Sequence, residues 1–133
     1  MIQEAYVSFE VAKLLKEKGF NQETVKRYNP SGSLYSYYQN VTVIPKGEEY
    51  FFAPTQQMAM RWLREVHNIG VFPTTYYRKT KEHKGYNYGC DLVDLKTYEV
   101  IGDFELTTFP SDTYEQACEA AIKYCLENLI KED

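Results

Sequence analysis

Apolar and polar positions along this chain repeat with two different periods. From Ala53 to Ile69 (APTQQMAMRWLREVHNI), Ala59, Trp62, Leu63 and Val66 recur at three- and four-residue steps while Gln57, Arg61, Arg64, Glu65 and Asn68 fall largely elsewhere. That spacing predicts one apolar stripe on a helix. Pro54 and Thr55 supply helix-start chemistry, and the chain's single Trp sits mid-stripe, so this helix is expected to form the core. A second helix is predicted after Ser8, with Glu10 in its first turn and Val11, Ala12, Leu14 and Leu15 as its stripe. Lys16 and Lys18 close it, followed by Gly19 and Phe20 as a glycine stop with its hydrophobic contact. A third should run from Thr113 to about Ile130, opened by Asp112 and Glu115 as a capping box, with Tyr114, Ala117, Cys118, Ala121, Ile122, Cys125 and Leu129 along one face.

The other period is two. Leu34–Gln39 places Tyr35 and Tyr37 on one face, Val41–Ile44 extends or follows it, and Tyr50–Phe52 returns after the Pro45, Lys46, Gly47 turn. Val71–Tyr77 alternates around Pro73, which argues for an edge strand or a strand start. Tyr86–Leu95 aligns Tyr86, Tyr88, Cys90 and Leu92, with Gly89 as a bulge position. Tyr98–Leu106 alternates most cleanly, with Tyr98, Val100, Phe104 and Leu106 facing one way and Glu99, Asp103 and Glu105 the other. Residues 21–33, with their Asn29, Pro30, Ser31, Gly32 cluster, read as a polar connector, and Arg78–Gly85 as a charged one. The expected fold is a single α+β domain over residues 1–133, in the order α-β-β-α-β-β-β-α. Its mainly antiparallel sheet of about five strands would carry the helices on one face.

Composition narrows the class. With 133 residues, 26% charged and 44% in the apolar set, the chain has the size and make-up of one globular domain. No apolar run approaches the ~18 residues a membrane helix needs. The opening MIQEAYVSFEVAK carries Glu4 and neither a basic nor a long apolar region, so no signal peptide and a cytoplasmic location are expected. Cys90, Cys118 and Cys125 match neither a disulfide framework nor a zinc pattern and read as reduced, mostly buried thiols. The net charge of −4 is uneven: residues 1–89 hold 12 Lys or Arg against 8 Asp or Glu, and residues 90–133 hold 3 against 11. Such a split can steer partners or favour head-to-tail self-contact.

Three stretches, SFEVAKLLKEKGF, YFFAPTQQMAMRWLREVHNI and SDTYEQACEAAIKYCLENLI, together resemble a family of short uncharacterised proteins from phages and integrated elements of Bacteroides-type gut bacteria. The resemblance covers nearly the whole chain. It implies a small cytoplasmic α+β protein and carries no assigned activity or functional residues.

Catalytic chemistry finds little footing in the residues. His67 and His83 are 16 apart with no second ligand at helical spacing. Cys90 beside Asp91 would have its thiol pKa raised, and Glu99, Asp103 and Glu105 on a wet face would keep ordinary values. No metal site, phosphate loop or cofactor motif is present in the pattern, and no cofactor is expected. Binding has more material. Tyr76, Tyr77, Arg78, Lys79, Lys81, His83, Lys84, Tyr86 and Tyr88 set rings around a basic turn, a pattern in which bases stack on Tyr and cations follow phosphates. The 13 tyrosines exceed what one core needs, and Tyr is favoured at interfaces. The first expectation is therefore a non-enzymatic accessory protein binding a protein partner, or a second copy, through a Tyr-rich sheet surface. Single-stranded nucleic-acid binding at 76–88 is the alternative, and an enzyme ranks third.

Overall fold

A computed structural model of the chain describes residues 2–37, 49–79, 84–101 and 113–130, with 76–79 and 84–86 described by their backbone. Helix α1 spans Phe9–Glu17. Ser8 caps it by accepting the Val11 N–H at 3.2 Å. Gly19, at φ +94°, ends it: its N–H bonds the Lys16 carbonyl and the Phe20 N–H the Leu15 carbonyl, the paired bonds of a glycine-terminated helix.

Strands β1 (Lys26–Tyr28), β2 (Leu34–Ser36) and β3 (Phe51–Phe52) form an antiparallel sheet in the order β2-β1-β3. The middle strand lies in the stretch read as a connector. Its turn is held by Asn29, whose side-chain oxygen accepts from the Ser31 and Ser33 N–H groups. Helix α2 (Gln56–His67) begins at Thr55, which accepts from the Met58 N–H at 3.2 Å, and ends at left-handed Asn68, φ 56°.

Strands β4 (Ile69–Lys79), β5 (Lys84–Asp94) and β6 (Glu99–Val100) form a second antiparallel sheet, order β4-β5-β6. β4 and β5 pair one-to-one from Ile69↔Asp94 to Lys79↔Lys84, so Gly89 is no bulge and both strands reach further into the charged connector than the pattern suggested. The edge position argued from Pro73 holds. The Leu95 N–H bonds the Asn68 carbonyl, which makes that pair a hydrogen-bonded one. Alternation then puts Pro73↔Cys90 at a non-bonded position, where the missing N–H faces the open edge.

Helix α3 (Tyr114–Asn128) is capped by Thr113, which accepts from the Gln116 N–H at 3.1 Å. The cap is thus Thr113 itself, and the Asp112 proposed for it lies outside the described residues.

The α+β class and the helix–hairpin order hold, but the strands divide between two three-stranded sheets instead of one sheet of about five. Core side chains come from both sheets and from the three helices among the described residues: Phe51, Cys90 and Leu92 meet Val11, Leu15, Trp62, Leu63, Ile122 and Leu126. Three expected core residues lie elsewhere. Val66, in the last turn of α2, is 56% exposed, because the apolar face is taken by Ala59, Met60, Trp62 and Leu63. Tyr98 is 81% exposed at φ 62°, since the Asp94 carbonyl and carboxylate wrap residues 95–98 into a turn and break the alternation. Val100 is exposed too. Phe104, Leu106 and Val41–Ile44 lie outside the described residues, as do Gln39, Tyr38 and Pro45 to Gly47. Among the described residues, no helix is long and apolar enough to cross a membrane.

Candidate functional site

The first sheet has one packed face and one unusual face. Tyr28 and Phe51 turn toward α1, with the Phe9 ring 5.5 Å from each, and the Tyr28 hydroxyl donates to the Val7 carbonyl at 2.7 Å. Arg27, next along β1, therefore turns the other way, and in register it sits between Tyr35 on β2 and Phe52 on β3. Two residues on from Tyr35, Tyr37 keeps the same face, its N–H bonding the Val25 carbonyl at 2.7 Å. Tyr50 does the same before Phe52.

The result is a cation enclosed by rings. The Arg27 guanidinium carbon lies 3.8 Å from the Tyr37 ring centre, 4.4 Å from that of Tyr50 and 5.0 Å from that of Phe52. These distances are those of cation–π stacking. Arg27 is 5% exposed, and its Nε has no hydrogen-bond acceptor. The nearest carboxylate among the described residues is that of Glu23, 3.7 Å from Nη2 and itself 74% exposed.

Tyr50 and Phe52 also wall a groove of about 560 Å³, completed by Lys16, Gly19 and Phe20 at the end of α1, by Asn21, and by Glu49. Lys16 braces its rim, donating to the Tyr50 carbonyl at 3.0 Å and to Glu49 at 3.3 Å. A mostly apolar floor beside a buried cation is the general make-up of a recognition site.

The groups singled out from sequence are distributed differently. For the basic turn, the backbone pairs Tyr76 with Asn87, Tyr77 with Tyr86, Arg78 with Gly85 and Lys79 with Lys84. Lys81 and His83 lie outside the described residues, as do the side chains of the other turn residues through Tyr86. Tyr88 is described: partly buried against the core, it packs its ring edge-to-face on the exposed Tyr114 of α3 at 6.4 Å. His67 packs edge-to-face on Trp62 at 4.6 Å. Arg61 pairs with Glu65 one turn on, at 3.0 Å.

The three thiols are free and buried. Cys90 donates to the Ala117 carbonyl at 3.5 Å, and its hydrogen bond with Cys118, together with burial, pushes its pKa up. Burial pushes Cys125 up to about 12. Cys90 and Cys125 therefore stay protonated and unreactive, whereas the hydrogen bond with Cys90 pulls the Cys118 thiol down. Among the described residues, no three His, Cys, Asp or Glu gather as a metal site. Glu99 is exposed on β6, and Asp103 and Glu105 lie outside the described residues.

A further crevice of about 530 Å³ between α1 and α3 is ringed by Glu10, Glu115, Glu119 and Lys123. Three of these four charges are already used: Glu119 accepts from the Ser8 N–H at 3.1 Å, and Lys123 pairs with Glu10 at 2.9 Å. The Glu10 hydrogen bond and charge raise the Lys123 pKa.

Sequence reasoning misses Arg27, because residues 21–33 read as a polar connector and a lone Arg in a polar stretch reads as surface. The available signal was VKRY, Val25–Tyr28, a short β-prone run bounded by Asn21 and the Asn29–Gly32 turn. Compared with protein-family models, curated proteins and solved structures, the chain matches none.

Proposed function

We propose that this chain is a small non-enzymatic accessory protein that binds a partner protein through the tyrosine-rich face of its first sheet. The observation that carries the reading is the enclosed Arg27: three rings cover its guanidinium, and two of them continue into a groove of about 560 Å³. Tyr and Arg are the side chains that most often dominate binding energy at protein interfaces. Tyr37, Tyr50 and Phe52 are each half-buried, so part of every ring is still available to a partner. The chemistry-bearing thiols, by contrast, are packed in the core. The cytoplasm of a cell carrying a phage or mobile element is the proposed setting, and it rests on the sequence resemblance.

Site-specific photo-crosslinking tests the reading. A photoreactive phenylalanine at position 37 should capture one partner protein from host or phage-infected cells, and the same group at the exposed position 98 should not. The captured protein, once purified, should bind the wild-type chain and lose affinity for Tyr37→Asp by about tenfold or more. Equal capture from both positions, or capture from neither, removes the reading.

A further inference from the structure

The Arg27 guanidinium has an unused edge. The Nε–H and one Nη–H of an arginine project in parallel along one side, at the spacing two carboxylate oxygens can accept together. Among the described residues Nε has no acceptor, and on Nη2, which shares that edge, Glu23 stops at 3.7 Å, outside hydrogen-bond range. The Tyr37 and Tyr50 rings lie within 4.4 Å of the guanidinium carbon, and the edge is where an acceptor can still be added. A cation that is 5% exposed has lost most of its hydration, and an unused buried donor is what an incoming acceptor would repair.

The rings supply the second half of the pattern. Tyr50 and Phe52 touch the guanidinium on one side and line the groove with Phe20 on the other. A ligand that meets both would carry a carboxylate for the guanidinium and an apolar group for the groove, with Tyr50 and Phe52 shared between them.

We infer that Arg27 and its neighbouring groove form the receptor for an acidic–apolar peptide segment of the partner, with a Glu or Asp carboxylate on the Nε/Nη2 edge and an adjacent apolar side chain beside Tyr50 and Phe52. Glu23 is the placeholder that this carboxylate displaces. Its charge, mostly in water, gives it little hold on the site. The inference rests on the proposed binding face and adds the chemistry of what binds there.

Fluorescence anisotropy with a labelled, C-terminally amidated hexapeptide of alternating Glu and Leu tests it, with Gln–Leu and Glu–Ser peptides as controls. The Glu–Leu peptide should bind, with each control weaker by about tenfold or more. Arg27→Met should lose about tenfold, and Glu23→Gln, a change at an exposed side chain, should tighten binding by roughly threefold at low salt and less at high salt. Arg27→Met binding like wild type, Glu23→Gln leaving affinity unchanged, or no binding of the Glu–Leu peptide to any variant overturns the inference. So does a Glu–Ser peptide that binds as well, since the groove then has no part. The crosslink from position 37 separates the two readings: if Arg27→Met still captures the partner, the face binds without a carboxylate and this inference alone fails. If capture is lost from wild type as well, both fail.

Discussion

The two sheets solve the same problem in different ways. In the second, two eleven-residue strands pair without interruption, their inner face is sealed by α2 and α3, and even the Cys90 thiol finds a carbonyl. In the first, strands of two and three residues leave a cation between rings with its Nε unsatisfied. Long regular pairing is what stability favours, and although Asn87 Oδ1 on β5 is also buried without a hydrogen-bond partner, an unpaired charged donor is the larger local cost and the kind retained at binding sites. The division of labour follows: the second sheet with its helices holds the molecule together, and the first presents something.

The largest effect that would break this comparison is a cavity. Leu92→Ala, at a fully buried β5 position, should cost about 2–5 kcal/mol in urea unfolding, whereas Phe52→Ala, at a half-buried position of β3, should cost about 1–2 kcal/mol. Equal losses would mean that the first sheet is as much a part of the core as the second.

Next in size is a pH effect confined to the sealed interior. Cys125 is raised to about 12 by burial, against 9.0 for an ordinary thiol. The unfolded chain releases this proton first, so it binds fewer protons than the folded chain between those values. Stability is therefore fully present below pH 9 and falls as pH rises toward 12, by up to ~1.4 kcal/mol per pH unit for this thiol. Wild type minus Cys125→Ala in alkaline urea titrations should show that slope. A difference flat in pH would place the thiol in contact with water and break the seal.

The second sheet and the helices were also the more legible parts of the sequence. Ser8, Gly19 and Thr55 announce helix ends through capping chemistry that is local, and the Ala59–Leu63 and Ala117–Ile122 stripes repeat often enough to define a face. Pro73 spoke for its edge because a missing N–H has one tolerable place in a sheet. Tyr98 misled because alternation describes a strand, not where the strand starts, and the Asp94 turn displaced that start. β1 was illegible for a related reason. Three residues are too short for a period, and what stabilises them is pairing with β2 and β3, which a local reading cannot see. The candidate site depends on that strand, so Arg27 was missed with it, although Tyr35, Tyr37, Tyr50 and Phe52 were all assigned to strands.

The smallest expected effect on stability is the sharpest test of the comparison. Replacing a buried side chain that packs against three rings should ordinarily be costly, and Arg27→Ala would open a cavity among them. Arg27→Met keeps most of the volume and the ring contacts while removing a charge whose nearest carboxylate is 3.7 Å away and largely in water. Exchanging a poorly compensated buried ion for an apolar isostere is often neutral or stabilising. The midpoint of urea unfolding should therefore move by no more than about 1 kcal/mol equivalent in either direction. A loss above about 3 kcal/mol would instead identify Arg27 as a structural residue whose partners hold the first sheet together. A near-zero change means that the fold has no need of the guanidinium, and its place between the rings then calls for a ligand.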